Sequence, residues 1–200
     1  MIFDYKSWLG LIAVALTVYA YIPYLRGIYA GTTKPHLFTW IVWSVVTLIA
    51  VIIQIVEGAG AGAWPTVIAA LICFWITYLS ITRGSKDIKK IDWFFLISSL
   101  CAIPLWIITN NPAWSALLVT GIEIVASFST IRKSWTAPEH EVMLTYGLNT
   151  FRYVLSIIAL ASFSVATLAF PLGMVFMNAL IFGVLLLRGK RKATDAITTG

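Results

Sequence analysis

Two charged residues, Glu123 and Arg152, lie inside long apolar stretches of this 200-residue chain. A charge in the middle of a membrane helix costs roughly 2.5–3.5 kcal/mol on insertion scales, so residues of this kind usually serve a function. Glu123 lies eight residues before Ile131, where its stretch ends, and Arg152 lies eight residues after Leu144, where the next stretch begins. On two antiparallel helices both residues are therefore about 12 Å from the same membrane face. We expect the two side chains to form an ion pair that faces the interior of a helical bundle.

The expected ion pair has two interpretations. It is either a structural clamp or part of a substrate or proton site, in which Arg152 binds an anionic group or Glu123 exchanges its proton. Glu123 is the acidic candidate because every aspartate of the chain lies in a loop, at an edge or in a tail.

Polar and aromatic residues near these charges could complete a binding site. Asn149 precedes Arg152 by one helical turn, so both can face the same cavity. Trp40, Trp43 and Thr47 share one helical face by their spacing. Aromatic walls with a few convergent polar groups are typical of small-molecule sites. Tryptophan is also common at membrane surfaces, and this alternative stays open for Trp43.

The composition indicates that membrane helices position these residues. Hydrophobic residues make up 60% of the chain and charged residues 11%, with a mean hydropathy of +0.91, whereas soluble domains are about a quarter charged. This excludes a soluble globular protein, a nucleic-acid-binding domain and a disordered segment. The apolar runs are continuous rather than alternating, which disfavours a membrane β-barrel. The predicted fold class is an all-α polytopic membrane protein.

Seven apolar stretches approach the length of about 20 residues that a membrane span needs. The fourth is separated from the fifth by Asn110-Asn111-Pro112, and Pro171 is predicted to open the seventh span, because proline is tolerated in the first turn of a helix. The predicted spans cover residues 8–25, 37–56, 63–82, 93–109, 113–131, 144–167 and 171–187.

The basic residues predict the orientation of these spans. Of the 14 Lys and Arg residues, all but Lys6 and Arg152 lie in loops after alternate spans or in the C-terminal tail. The positive-inside rule therefore predicts that the N-terminus lies outside and the C-terminus in the cytoplasm. We expect an uncleaved first span and a multi-pass protein of a prokaryotic plasma membrane.

An internal repeat appears when the chain is shifted by 106 residues against itself. Spans 1–3 then match spans 5–7, which predicts a first three-helix repeat at 1–84, a linker helix at 85–111, a second repeat at 112–190 and a flexible cytoplasmic tail at 191–200. Two parallel repeats form a pseudo-two-fold interface whose site can open to either side. The residues brought into register are Arg26 with Arg132, Tyr29 with Trp135, Trp40 with Tyr146 and Pro65 with Pro171, while Arg83 falls one residue from Arg188.

Residues 22–44 carry three short elements in a fixed order, namely Pro23-Tyr24, Thr33-Lys34 and Thr39-Trp40. This stretch resembles the PQ-loop motif of the SWEET, SemiSWEET and cystinosin superfamily, in which the first pair ends the first helix. The resemblance implies the 3+1+3 architecture and a transporter that moves a small polar, sugar-like solute by alternating access, with Pro23 as a hinge.

The resemblance also implies substrate-binding positions. SWEETs place two facing asparagines in spans 3 and 7. Asn178 matches the place in span 7, and Cys73 or Ile72 occupies its counterpart in span 3. With the residues singled out above, the substrate-binding candidates are Trp43, Cys73, Glu123, Asn149, Arg152 and Asn178.

Other functions remain open. PnuC-type vitamin and nucleoside transporters share the 3+1+3 plan and use a Trp-x-x-Trp pair, to which Trp40-x-x-Trp43 is similar. A non-transporting receptor or scaffold is a further alternative. An enzyme is not expected, since no His-Glu-x-x-His motif occurs. No cofactor or metal is expected, nor a nucleic-acid partner. The expected partners are a small-molecule substrate and the lipid bilayer, and a homo-oligomer is left open.

Overall fold

The computed structural model describes residues 4–84, 90–136 and 143–198, and nearly all of them are helical. The all-α class is therefore confirmed. The described residues form seven helical segments, one of which is interrupted at Cys101, and one 3₁₀ turn, Gly60–Ala63. The helices are α1 (Tyr5–Tyr29), α2 (Leu37–Val56), α3 (Trp64–Arg83), α4 (Lys90–Leu100), α5 (Ala102–Thr109), α6 (Pro112–Thr136), α7 (Met143–Ile158) and α8 (Val165–Thr198).

Four helical stretches are long and apolar enough to cross a membrane: Tyr5–Tyr29, Leu37–Val56, Gly60–Arg83 and Val165–Arg188. Their outward faces are apolar as well. On α8, for example, Phe176 and Leu187 are 62% and 66% exposed. Large apolar side chains cover an outer surface when lipid surrounds it, so these features indicate an integral membrane protein.

The first helix begins and ends beyond the predicted span. Asp4 caps its N-terminus, since its carboxylate accepts hydrogen bonds from the backbone N–H and the hydroxyl of Ser7 at 2.9 and 2.7 Å. These bonds hold the pKa of the Asp4 carboxyl below its ordinary value. The expectation that Pro23-Tyr24 ends the helix is wrong. Pro23 lies inside α1 and is exposed, and its missing N–H removes only one bond of the helical ladder.

The boundary between the sixth and seventh predicted spans is also wrong. Helix α7 ends at Ile158 and α8 begins at Val165, so Pro171 lies inside α8 and does not open it. The local cause is a cap at Ser164, whose hydroxyl accepts a hydrogen bond from the backbone N–H of Thr167 at 3.2 Å. The cap precedes the proline by two turns, so α8 has already begun when the chain reaches Pro171.

The fourth predicted span is not one continuous helix. It divides at Cys101 into α4 and α5. Pro104 explains the break, because proline has no backbone N–H and its ring clashes with the carbonyl four residues earlier, which is that of Leu100.

The helix contacts of α1–α3 resemble those of α6–α8, and we call these two sets of helices the two groups. Helix α3 packs against both α1 and α2, and α8 packs against both α6 and α7. Between the groups, α1 packs on α7, α2 packs on α6, and α4 contacts both α2 and α6. An apolar core joins α2 to α6 and α8 and includes Val46, Ile53, Val119 and Phe170. The two groups therefore contact each other in two separate places, α1 on α7 and α2 on α6.

The two groups meet closely on one side of the bundle, which we call the Lys6 side. There the hydroxyl of Ser156 donates to the carbonyl oxygen of Gly62 at 2.6 Å. The backbone N–H of Ala161 donates to the carbonyl of Ala59 at 2.9 Å, and Lys6 Nζ donates to the carbonyl of Leu160 at 2.7 Å. These bonds join α1 and the 3₁₀ turn to the end of α7 and the segment after it.

On the opposite side, each group carries the same arginine–aromatic contact. Arg83 donates to the carbonyl of Tyr29 at 3.5 Å and lies 5.3 Å from the centre of its ring. Arg188 donates to the carbonyl of Trp135 at 3.0 Å and lies 4.8 Å from its ring. Tyr29 and Trp135 are 106 residues apart, which is the offset of the sequence repeat.

Candidate functional interior site

Arg152 is a cation enclosed within the protein. Only 2% of its surface is exposed. Its Nε donates to Oδ1 of Asn149 at 2.8 Å and its Nη1 donates to Oγ1 of Thr17 on α1 at 3.0 Å. The guanidinium carbon also lies 4.1 Å from the centre of the Tyr153 ring. An arginine has five N–H donors, so these contacts orient the group and leave donor capacity for another partner.

Glu123 faces the interior from α6. The outer face of this helix is marked by Leu117, Val125 and Phe128, which are 46%, 55% and 57% exposed. Val119, one turn before Glu123, is completely buried. Glu123 itself is half-buried. Its side chain therefore points away from the lipid-facing surface and toward the other helices.

The expected ion pair between Glu123 and Arg152 is not formed. Among the residues that the structure describes, Arg152 has Asn149 and Thr17 as its polar side-chain partners instead. The reason is the packing order. Helix α8 lies between α6 and α7, and Arg152 faces α1. Matching depth on consecutive helices does not make two residues neighbours when a third helix separates them.

The two charges nevertheless act on a common set of side chains. Tyr21, Cys73 and Tyr153 each interact electrostatically with both Glu123 and Arg152. These three side chains come from α1, α3 and α7. Cys73, which was predicted separately from the two charges, thus lies near both of them. We call this interior region the central cluster; its members are Thr17, Tyr21, Cys73, Glu123, Arg152 and Tyr153.

The repeat offset relates Glu123 and Arg152 to two buried positions nearer the N-terminus. Thr17 and Glu123 are 106 residues apart, and so are Val46 and Arg152. Thr17 faces Arg152 where α1 packs on α7. Glu123 lies on α6, which packs on α2, and its neighbour Ile122 belongs with Val46 to the apolar core that joins these helices. Arg152 thus lies where α7 contacts α1, whereas Glu123 lies on a helix that contacts α2 and α8.

Trp43 borders the central cluster from α2. It is half-buried, and its ring meets Trp40 edge to face at 4.9 Å between ring centres. Trp40 is 4% exposed and donates through Nε1 to the hydroxyl of Tyr24 at 3.2 Å. Both tryptophans pack on the apolar cluster that contains Cys73. Trp40 is thus a buried support for Trp43 and not a lipid-interface residue.

The two positions that the resemblance implied have different surroundings. Cys73 is 3% exposed and lies beside the hydroxyl groups of Thr47 and Tyr21. Asn178 is half-buried, and its amide nitrogen donates to the carbonyl of Met174 in its own helix at 2.8 Å. The substrate-binding roles of these two residues stay predictions.

Three residues of the central cluster were missed by reasoning from sequence: Thr17, Tyr21 and Tyr153. Thr17 is completely buried and donates back to the carbonyl of Ala13 at 2.7 Å. The sequence repeat could have identified Thr17, because the offset of 106 residues brings Thr17 into register with Glu123. Tyr21 follows it by one turn and Tyr153 adjoins Arg152, so proximity along the helices was the available signal.

Two cavities, of about 450 and 570 Å³, lie near the two ends of the bundle. The smaller one lies beside the Arg83–Tyr29 contact, and the larger one lies on the Lys6 side between Asp4 and Ala161. None of the predicted substrate-binding residues lines either of them. Comparisons with models of protein families, with curated proteins and with solved structures gave no match to this chain.

Proposed function

We propose that this protein is a membrane transporter that moves a small polar solute through the interior between its two groups of helices. The observation that carries the proposal is the pair Glu123 and Arg152, two interior charges that do not pair with each other. Charged residues inside a membrane protein are costly and mark solute or proton pathways. A protein that needed these residues only for stability would gain more by pairing them.

The architecture proposed for this function is two parallel three-helix repeats joined by an inverting helix. The repeats are α1–α3 and α6–α8, and the linker is α4 with α5. The matching helix contacts and the two equivalent arginine–aromatic contacts support this arrangement. The distribution of Lys and Arg supports an orientation with the N-terminus outside and a location in a prokaryotic plasma membrane.

Alternating access accounts for the difference between the two sides of the bundle. The Lys6 side is held by hydrogen bonds between the groups of helices. The arginine–aromatic contacts on the other side lie within each group. Rocking of the groups about the central cluster would break the hydrogen bonds on the Lys6 side and keep the arginine–aromatic contacts. The PQ-loop resemblance at residues 22–44 supports the same mechanism and a sugar-like solute.

One observation favours a PnuC-like alternative with a vitamin or nucleoside as the solute. Trp40 and Trp43 are in edge-to-face contact, and the half-buried Trp43 packs on the apolar cluster that contains Cys73. An aromatic wall of this kind suits a flat heterocyclic ring.

Transport is tested with purified protein in liposomes. Uptake of labelled glucose, thiamine, nicotinamide riboside and L-alanine is measured against protein-free vesicles. We expect saturable uptake of at least one solute and its loss in Glu123→Gln and Arg152→Gln. The matched controls Glu57→Gln and Arg26→Gln remove the same charges elsewhere and should leave uptake intact. Solute binding without uptake of any solute would contradict transport and favour a receptor.

A further inference from the structure

The smaller cavity, of about 450 Å³, lies where the loop between α1 and α2 meets the end of α3. Two cationic side chains line it, Lys34 from the loop and Arg83 from α3. Thr33 and Thr82 also line it, so hydroxyl-bearing residues accompany the cations. No described residue that lines this cavity is acidic. A wall of this composition favours an anionic occupant.

The two cations belong to chain segments that are in close contact. Lys34 directly precedes Pro35, and Arg83 directly precedes Gly84. A Cβ added to Gly84 would lie 2.5 Å from the carbonyl oxygen of Pro35, so the two backbones approach as closely as only a glycine allows. This close approach places Lys34 and Arg83 on the wall of one cavity.

Neither cation is neutralised by the residues that the structure describes around it. Arg83 Nη1 donates to the carbonyl of Tyr29 at 3.5 Å, and its guanidinium carbon lies 5.3 Å from the centre of the Tyr29 ring. These contacts orient the guanidinium and use one of its five N–H donors. Lys34 is exposed, and its ammonium group forms no hydrogen bond or ion pair with a described residue. Most of the donors therefore remain available to an anion in the cavity.

We propose that this cavity, which we call the Lys34–Arg83 site, binds a phosphate group, carried by a phospholipid headgroup or by a soluble phosphate. A phosphate has several strong acceptor oxygens, so it can accept hydrogen bonds from both cations and from a threonine hydroxyl at once. The distribution of Lys and Arg predicts that this end of the bundle faces the cytoplasm, where anionic headgroups attract basic residues. The site is independent of the proposed transport function.

The second group of helices provides an internal comparison. Its contact between Arg188 and Trp135 repeats the one between Arg83 and Tyr29. At the repeat offset of 106 residues, however, the sequence reads Glu-His-Glu at 139–141 where it reads Thr-Lys-Pro at 33–35. Two acidic residues in that loop would repel an anion. We therefore expect the phosphate site in the first group alone.

The test measures the melting temperature of the purified full-length protein in a neutral detergent at constant ionic strength. One arm titrates dioctanoyl phosphatidic acid against dioctanoylglycerol, which lacks only the phosphate. The other arm titrates sodium phosphate against sodium chloride. We expect a saturable rise in melting temperature with at least one phosphate-bearing probe and none with its matched comparison. A rise with phosphatidic acid alone assigns the site to a lipid headgroup, and a rise with sodium phosphate assigns it to a soluble phosphate.

Two variants each remove one cation from the site. Lys34→Gln and Arg83→Gln should each weaken binding of the effective probe about tenfold to a hundredfold, which is the usual effect of losing one charge-assisted hydrogen bond. Lys34→Gln breaks no contact with a described residue, so its fold should be unchanged, whereas Arg83→Gln also loses the Tyr29 contact. Arg83→Lys keeps the charge without the forked donors and should bind with intermediate affinity.

The matched controls remove a cation that does not line the cavity. Arg188→Gln removes the equivalent arginine–aromatic contact of the second group, and Arg26→Gln removes an exposed cation one turn before Tyr29. Both should leave the affinity for the probe unchanged. The inference would be overturned if neither phosphate-bearing probe gave a saturable rise, or if the two controls weakened binding as much as Lys34→Gln and Arg83→Gln did.

Discussion

The guanidinium of Arg152 on α7 donates a hydrogen bond to the hydroxyl of Thr17 on α1 at 3.0 Å, and this bond joins the two groups of helices in the middle of the bundle. Both residues are buried. Thr17 and Glu123 are 106 residues apart, so the positions that the sequence repeat relates carry a neutral hydroxyl on α1 and an acid on α6.

Thr17→Val should lower the stability of the protein, because it removes this acceptor from a buried cation. A hydrogen bond to a charged group contributes about 1.5–3 kcal/mol, which should appear as a lower melting temperature of the detergent-solubilised protein. Thr120→Val is the matched control. Thr120 is also buried and also donates to the carbonyl four residues earlier. Equal losses for the two variants would show that the bond to Arg152 contributes nothing.

Gly62→Ala should disrupt the Lys6 side. A Cβ at this position would lie 2.7 Å from the carbonyl oxygen of Ser156 and 2.9 Å from Cα of Leu160, so backbone atoms would have to move. We expect a large loss of stability or a shift toward a form that is open on this side. The readout is the melting temperature together with the labelling rate of a cysteine introduced at Ala161.

Gly121→Ala provides the contrast for Gly62→Ala. Gly121 is in α6, and a Cβ there meets no atom within 4 Å. Alanine is favoured over glycine in a helix interior by about 0.8–1.0 kcal/mol, so this variant should be at least as stable as the unchanged protein. A comparable loss in both variants would contradict the close approach at Gly62.

The arginine–aromatic contacts should contribute similar amounts to stability in the two groups of helices. A cation–π contact at an exposed site is worth about 0.5–1 kcal/mol. Arg83→Gln and Arg188→Gln should each lower the unfolding free energy by about this amount. Since the sites are in different groups, the double variant should lose the sum of the two. A loss in only one of the single variants would show that the contacts are not equivalent.

The sequence repeat brought the residues of these end contacts into register, although the contacts themselves were not predicted. Arg83 and Arg188 terminate apolar stretches and match in the repeat, so their aromatic partners could be sought at the matched positions Tyr29 and Trp135. The partner of Arg152 could not be found in this way. Spacing along a helix determines depth, but it does not determine which helices are neighbours. Proline suits the first turn of a helix, which is why Pro171 predicts a helix start, but the Ser164 cap begins α8 two turns earlier.

Gln54→Leu should stabilise the protein. Gln54 on α2 is completely buried, and neither its amide oxygen nor its amide nitrogen has a hydrogen-bond partner among the described residues. Leaving a buried polar group unsatisfied costs about 1–3 kcal/mol, whereas an apolar side chain of similar size avoids this cost. The variant should therefore melt at a higher temperature, and Gln54→Glu, which adds a charge at the same position, should melt at a lower one. A loss of stability in Gln54→Leu would show that the amide binds a partner, such as an enclosed water molecule.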